Sequence, residues 1–272
     1  HVADVLTQQG HIVTIFDKKK SKWIKKNQKM IVSDLKNFNS LKKAIKGSDV
    51  VYNFAAIADI GEALENPIQT VETNILGNTK ILELCRKYKT KRFVYASTIY
   101  VHSGQGGFYR VSKQSAELYI EEYSRRFGLN YTILRFGSVY GPRGSSKNGL
   151  SRVVNTALKK NIVRYTGTAR AVRRFIHVKD AAKASADILK KKFINKNILI
   201  TGNKISKVKD VLLLVAQILN IPKKIKFDNK TEQGHYDISP YSYKPKSDQK
   251  YILKSSKGLK DGIFELINIL QK

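Results

Sequence analysis

Short apolar runs alternate with longer amphipathic stretches along the first half of the chain. The runs predict buried strands at 12–16, 30–32, 49–56, 92–97 and 131–135. Between them, apolar residues recur every three or four positions and predict helices at 1–9, 40–46, 69–88 and 109–127. Strands that alternate with helices favour a doubly wound parallel sheet. The pattern therefore predicts an α/β fold.

The rhythm loosens after residue 149. The spacing of apolar residues here predicts helices at 150–160, 179–191, 207–219 and 259–270, and strands at 162–165 and 197–200. We therefore divide the chain into a sheet domain of residues 1–149 and a smaller C-terminal α/β lobe of residues 150–272. The lobe is expected to be interleaved with the first domain.

The chain is strongly basic, with 51 Lys and Arg against 21 Asp and Glu and a net charge of +30. Such a charge is compatible with a polyanionic partner or with a lysine-rich surface. Lysines make up 39 of the basic residues and are spread from end to end. Surfaces that read phosphates and bases more often use clustered arginines with aromatic side chains. We therefore favour the lysine-rich surface and expect no nucleic-acid partner.

Composition narrows the class of protein further. Hydrophobic residues make up 42% of the chain, enough for a packed core, and no run approaches the roughly 18 apolar residues of a membrane span. The single cysteine, Cys85, excludes an internal disulfide framework and a multi-cysteine metal site. We expect no metal, a reducing compartment and a cytoplasmic location, with Cys85 packed in the core.

The beginning of the chain is typical of the second half of a βαβ unit. A helix over 1–9 is followed by a strand over 12–16, and Asp17 stands at the tip of that strand. The first strand and its glycine-rich turn are therefore expected before His1.

The strongest chemical motif is Tyr109-Arg-Val-Ser-Lys113 on the predicted helix 109–127. Positions i and i+4 share one helix face, so the ammonium can lower the pKa of the phenol. The phenolate can then take a proton from a substrate hydroxyl. Taken alone, the motif is better explained as an exposed helix turn, because Tyr and Lys are common.

Neighbouring features support the chemical interpretation. Ser97 and Thr98 end a predicted strand, a glycine-rich loop spans 103–107, and Leu-Arg-Phe-Gly-Ser-Val-Tyr-Gly-Pro follows the next strand at 134–142. For the two hydroxyl residues, helix capping is the structural alternative. Together these residues resemble the extended short-chain dehydrogenase/reductase family, in its NAD-dependent epimerase/dehydratase branch. The resemblance implies a Rossmann-like fold.

The resemblance also implies a set of cofactor-binding residues. Asp17 corresponds to the acid that holds the adenosine ribose, which favours NAD over NADP. Asp34 corresponds to the residue at the adenine amino group, and Asn74 to a buried helix asparagine with a mainly structural role. The remaining implied NAD-binding residues are Phe54, Ala55, Ala56, Ser97, Tyr109, Lys113 and Phe136.

By the same resemblance, Thr98 binds the reacting sugar oxygen, Tyr109 is the acid/base and Lys113 lowers the tyrosine pKa. Ser138 and Arg173 would bind the substrate, with the arginine on its diphosphate. The family commonly forms homodimers through the two long helices, here 69–88 and 109–127.

Three functions follow as hypotheses. The first is an NAD-dependent nucleotide-sugar epimerase of the UDP-hexose 4-epimerase type. The second is an NAD(P)-dependent sugar-nucleotide reductase or dehydrogenase of the same fold. The third is a non-catalytic, basic Rossmann-like protein that binds RNA or a protein partner. No Asp-Glu pair follows Thr98, which argues against a 4,6-dehydratase.

Overall fold

The computed structural model describes residues 1–221, 225–228, 234–241, 249–250 and 255–271. Within these residues the α-helices α1 to α10 are Val2–Gln8, Phe38–Ile45, Ile60–Glu65, Pro67–Thr70, Gly77–Lys87, Gly107–Phe127, Gly149–Lys160, Val178–Asp187, Val208–Ile218 and Leu259–Leu270. The strands β1 to β13 are Val13–Asp17, Gln28–Val32, Val50–Asn53, Arg92–Thr98, Tyr131–Phe136, Ser138–Tyr140, Val163–Tyr165, Val172–Arg173, Phe175–His177, Lys196–Ile200, Ser206–Lys207, Ile225–Phe227 and Gln249–Lys250. A π-helical turn spans Val71–Leu76, and 3₁₀ turns span Ile99–His102 and Lys191–Phe193.

A five-stranded parallel sheet forms the centre of the fold, in the order β13-β10-β5-β4-β3. Strand β4 is buried on both faces because its side chains alternate between two clusters. Phe93 and Tyr95 pack with residues of α5 and α6, and Val94 packs on the other face with residues of α8. Helices on both faces of a parallel sheet define the doubly wound class, so the predicted α/β fold is confirmed.

Strands β1 and β2 form a separate parallel pair, with Val13 opposite Gln28. This differs from the one sheet that the pattern predicts. Among the described residues, no strand is hydrogen-bonded between β1 and β3. Side chains make the connection instead, since Phe16 of β1 packs on the core cluster that contains Leu41 of α2. The pair is therefore held to the main sheet by packing.

The later part of the chain has its own hydrophobic cluster, built mainly from α7, α9 and α10. Val154, Leu212 and Ile263 are fully buried in it. Strand β10 nevertheless returns to the main sheet and pairs with β5, so Ile198 lies opposite Leu134. The domain boundary at residue 149 stays a prediction.

Several helix predictions need correction. The helix predicted at 40–46 begins at Phe38, and Asn37 caps it by accepting a hydrogen bond from the Ser40 amide at 3.0 Å. Ser40, where the predicted helix begins, therefore lies within the first turn of the observed helix. The helix predicted at 69–88 is divided into α4, the π-helical turn and α5, and α3 was not predicted.

Two further expectations concern burial. Cys85 is fully buried in the cluster between α5, α6 and the sheet, as predicted, and burial raises the pKa of its thiol to about 12. In the part of the chain that the structure describes, none of the helices has the length and apolar character needed to cross a membrane.

Candidate functional site

A tight turn before α6 places Tyr109 opposite the end of β4. Gly106 precedes the helix with φ of +106°, and a Cβ there would stand 2.8 Å from Cβ of Arg110. Only glycine fits this turn without strain. The turn brings the Tyr109 side chain near Thr98, the last residue of β4, close enough for the threonine to lower the pKa of the phenol. Two hydroxyl groups from different elements thus meet at the carboxyl end of the central sheet.

Burial controls the ionisation of this tyrosine. Burial raises the pKa of Tyr109 to about 12, and the nearby Thr98 side chain acts in the opposite direction. The sequence predicted that Lys113 lowers this pKa. In the protein alone the Lys113 Nζ lies 5.9 Å from the ring centroid of Tyr109, and Thr98 is the group that lowers its pKa.

Lys113 is 3% exposed and is held by the strand beneath it. Its Nζ donates a hydrogen bond to the Ala96 carbonyl oxygen at 2.7 Å and lies 4.7 Å from the ring centroid of Tyr95. Burial lowers the pKa of Lys113 to about 7, against an opposing effect of Glu117. The ammonium therefore depends on its few electrostatic partners to remain charged at neutral pH.

Ser97 faces the interior, where a buried ion pair engages it. Its hydroxyl donates to Oε1 of Glu117. The same carboxylate accepts hydrogen bonds from Nη2 and Nε of Arg135 at 2.6 and 3.1 Å. Ser97 was predicted as a cofactor-binding residue, but its hydroxyl is committed to this network.

The two predicted adenosine-binding acids stand where parallel strands end. Asp17 is the last residue of β1, and its Oδ1 accepts from the Lys19 amide at 2.9 Å. Asp34 follows β2 by two residues, and its Oδ1 accepts from the Lys36 amide at 2.8 Å. Both carboxylates are exposed. Each one fixes the turn that follows it by accepting a hydrogen bond from the amide two residues later.

The residues after β3 expose an aromatic ring and a small segment. Phe54 is 45% exposed, and its ring centroid lies 6.2 Å from that of Phe136 at the end of β5. Ala55 is exposed and Ala56 is half-buried. The amide of Ala55 donates to the Asn53 side chain at 3.1 Å, which fixes the turn.

Asn74 ties three elements together from within the π-helical turn. Its Oδ1 accepts from the Ile57 amide at 2.8 Å, and its Nδ2 donates to the Ile57 carbonyl oxygen and to the Ser112 hydroxyl, each at 2.9 Å. Its side chain thus connects the segment after β3 to the helix that carries Tyr109.

The two predicted substrate-binding residues lie in the irregular part of the fold. Ser138 begins β6 opposite Phe175 of β9. The Arg173 guanidinium stacks on the Tyr236 ring, 4.2 Å from its centroid, and Nη1 donates to the carbonyl oxygens of Val172 and Asp237 at 2.9 and 3.3 Å. Arg173 is only half-buried, so part of it remains accessible.

Sequence reasoning missed an aromatic wall beside Tyr109. The hydroxyl of Tyr100 lies 2.8 Å from Nδ1 of His235, and its ring contacts the rings of Tyr109 and Tyr236, with centroids 6.4 and 5.2 Å apart. Arg173 lowers the pKa of Tyr100 against the larger raising effect of burial. Segment 234–241 thus packs on both Arg173 and Tyr100, and its Tyr100–His235 contact joins positions 135 residues apart, which no local pattern could reveal.

Glu117 and Arg135 were also missed. The sequence did hold a signal, since Tyr109, Lys113 and Glu117 follow one another at intervals of four and so line one helix face. The arginine that completes the pair comes from β5 and had no such signal. Among the described residues, no group of three His, Cys, Asp or Glu side chains is placed to hold a metal ion.

Comparison with known proteins identifies a matching family and similar sequences. The sequence model described as the NAD dependent epimerase/dehydratase family matches residues 1–200. The chain is 26% identical to a candidate UDP-glucose 4-epimerase of Methanocaldococcus jannaschii, over 98% of this chain and 93% of that one. It is 28% identical to the UDP-glucuronate 4-epimerase of Thermodesulfobacterium geofontis, over 60% of this chain and 55% of that one.

A solved structure has the same fold. The crystal structure of UDP-glucuronic acid 4-epimerase from Bacillus cereus, in complex with UDP-glucuronic acid and NAD, superimposes with a TM-score of 0.85 and 21% identity. The match covers 100% of this chain and 95% of that one.

Proposed function

Because the chain belongs to the NAD-dependent epimerase/dehydratase family, we propose that it is a UDP-sugar 4-epimerase acting on a UDP-hexose. The observation that carries the proposal is the placement of the Thr98 and Tyr109 side chains together at the carboxyl end of β4, where Thr98 lowers the pKa of the phenol. Open α/β sheets bind ligands and perform chemistry at this end. Lys113, buried on the same helix face, supplies the cation that such a tyrosine needs.

The residues present fit NAD as the cofactor. Two exposed carboxylates, Asp17 and Asp34, end neighbouring strands and suit ribose hydroxyls and an adenine amino group. Phe54, Ala55 and Phe136 offer an apolar surface at the ends of β3 and β5. The matching family is described as NAD dependent, and the carboxylate at Asp17 supports NAD over NADP because an acid there repels a 2′-phosphate. NAD, when bound, takes up and returns the hydride of the sugar carbon.

The residues of this chain move the proton. Tyr109 accepts the proton of the 4-hydroxyl and later gives it back, while Thr98 hydrogen-bonds the same oxygen. Lys113 would stabilise the phenolate and hold the nicotinamide ribose of bound NAD. This division of work, with redox chemistry on the cofactor and acid–base chemistry on the protein, is typical of cofactor enzymes.

Four further residues have roles in the proposal. Arg173 binds the substrate diphosphate with the part of its guanidinium that Tyr236 leaves open, and Ser138 lines the same side. Asn74 and Ala56 support the cofactor indirectly by fixing the segment after β3. Residues 1–149 form the cofactor-binding domain and residues 150–272 the substrate lobe.

Two broader properties belong to the same proposal. The single cysteine is buried and supports a reducing compartment, which we take to be the cytoplasm. Exposed apolar residues on α6 support a homodimer. The lysines spread along the whole chain support a protein without a nucleic-acid partner.

The deciding experiment is turnover of UDP-hexoses. Purified protein with NAD is expected to interconvert UDP-glucose and UDP-galactose, or the corresponding UDP-uronic acids, as followed by proton NMR. Tyr109→Phe keeps the ring but removes the proton carrier, so the rate should fall at least about a hundredfold. Tyr119→Phe is the matched control, because this tyrosine is 47% exposed on the same helix. Parent-like turnover by Tyr109→Phe would contradict the mechanism.

A further inference from the structure

A buried ion pair lies directly beneath the Tyr109–Lys113 pair. Glu117 and Arg135 are 6% and 5% exposed, and two hydrogen bonds join the guanidinium to both carboxylate oxygens. The hydroxyl of Ser97 donates to the carboxylate as a third bond. The nitrogen Nη1 of Arg135 lies 3.4 Å from Nε2 of His102. Both charges are therefore held at defined positions away from solvent.

Such a pair is poorly explained by stability alone. Removing two charges from water costs about as much as their mutual attraction returns, and well-packed apolar residues often do equally well. Position suggests another role, because Glu117 stands one helical turn beyond Lys113 and two beyond Tyr109. The three side chains line one face of α6 against the sheet.

The surroundings of Lys113 contain few charges. From β4 it meets the Ala96 carbonyl oxygen and the ring of Tyr95, neither of which is ionised at neutral pH. On its own helix it faces Tyr109 and Glu117. The π-helical turn that packs on α6 reaches Ser112, the residue before Lys113, with the neutral side chain of Asn74. Glu117 is thus the anion that acts on this ammonium.

We propose that Glu117 is a positioning residue that keeps Lys113 in its charged form, while Arg135 and Ser97 hold the carboxylate in place. The proposal rests on the proposed function only for the role that the charged lysine then plays toward Tyr109. Glu117 has no contact with the reacting atoms and acts through Lys113.

The expected sign follows from the charges. Burial lowers the pKa of Lys113 to about 7, and Glu117 raises it. With the carboxylate replaced by an amide, Lys113 loses its proton at a lower pH. A neutral Lys113 no longer favours the phenolate, so Tyr109 keeps its proton to a higher pH. The acid limb of the pH–rate profile should therefore move upward.

The test is the charge of Lys113, measured without turnover. Protein labelled with carbon-13 at lysine Cε is titrated by NMR, and the Lys113 signal is identified by its loss in Lys113→Arg. In Glu117→Gln the titration midpoint should fall by about one pH unit. Glu122→Gln is the matched control, because this carboxylate pairs with Arg125 and Arg126 on the exposed part of the same helix. It should leave the midpoint unchanged.

Glu117→Gln leaves an uncompensated guanidinium, so its folding needs a safeguard. The double variant Glu117→Gln/Arg135→Gln removes both charges and leaves two amides able to bond to each other. It should lower the Lys113 midpoint in the same direction. An unchanged midpoint in whichever variant folds overturns the proposal.

A second measurement separates this inference from the proposed function. If the parent enzyme turns over UDP-hexoses, the acid limb of kcat/KM in Glu117→Gln should move up by about one pH unit, with about a tenfold loss on that limb. A uniform loss at every pH would instead indicate a purely structural role and contradict the proposal. If the NMR midpoint shifts but no UDP-hexose is turned over, the proposed function fails and the inference stands.

Discussion

At the scale of single residues, the site depends on one hydroxyl pair. Thr98 ends a buried strand and Tyr109 lies in the first turn of a helix, and Thr98 lowers the tyrosine pKa against the larger effect of burial. Thr98 therefore offsets part of the effect of burial, while the pKa of Tyr109 in the protein alone stays at about 12.

Thr98→Val tests this contribution, since the two side chains have the same shape and only one can hydrogen-bond. Loss of the Thr98 hydroxyl should raise the pKa of Tyr109 and move the acid limb of the pH–rate profile to higher pH. Hydrogen bonds to charged groups contribute about 1.5–3 kcal/mol, which corresponds to a loss of about tenfold to a hundredfold in kcat/KM. Thr98→Ser keeps the hydroxyl and should retain most of the activity. A valine variant with the parent profile would exclude Thr98 from the chemistry.

At the scale of elements, the π-helical turn connects the segment after β3 to α6. It widens the helix between α4 and α5 at the point where Asn74 reaches the segment after β3. Wide turns of this kind are common at functional sites. Three polar groups, two on the Ile57 backbone and one on Ser112, have Asn74 as a partner.

Asn74→Leu should therefore destabilise the protein, because it removes the partner of these groups. We expect the free energy of unfolding to fall by about 3 kcal/mol in chemical denaturation. Asn39→Leu changes an exposed asparagine of α2 in the same way and should shift it by no more than about 0.5 kcal/mol. Equal free energies of unfolding in the two variants would show that the hydrogen bonds of Asn74 do not stabilise the fold.

Sequence reasoning worked where one element carries the signal. The strand predicted at 92–97 is β4, Arg92–Thr98, and the helix predicted at 259–270 is α10, Leu259–Leu270. It failed at the π-helical turn, where the side chain of Asn74 bonds to Ile57, a tertiary contact that no local pattern predicts. It also failed for Arg135, whose partner Glu117 comes from another element.

At the scale of the whole molecule, α6 presents an apolar stripe to solvent. Phe108, Val111, Leu118 and Tyr119 recur at helical spacing and are 47%, 45%, 66% and 47% exposed. Val71 and Leu76 on the neighbouring π-helical turn are about as exposed, at 51% and 49%. A continuous apolar surface of this kind is typical of a protein interface.

Sedimentation should therefore detect a dimer in the parent protein and a monomer in Leu118→Glu, because a charge in the centre of an apolar interface is costly. Ile205→Glu places the same charge at a residue that is 60% exposed elsewhere and should remain dimeric. Circular dichroism should be unchanged in both variants. A parent protein that stays monomeric at high concentration would contradict the predicted dimer.

The interleaving of the two halves also has a consequence for biosynthesis. The backbone at the start of β5 bonds to the Asn195 side chain, 64 residues later, and β10 then pairs along β5. At a translation rate of about 5–20 residues per second, β5 leaves the ribosome about 3 to 13 seconds before its neighbour exists. During that interval the nascent sheet has an open hydrogen-bonding edge, which is the kind of surface that chaperones shield and that aggregation exploits. The nascent protein thus cannot cover the open edge of β5 until β10 has been synthesised.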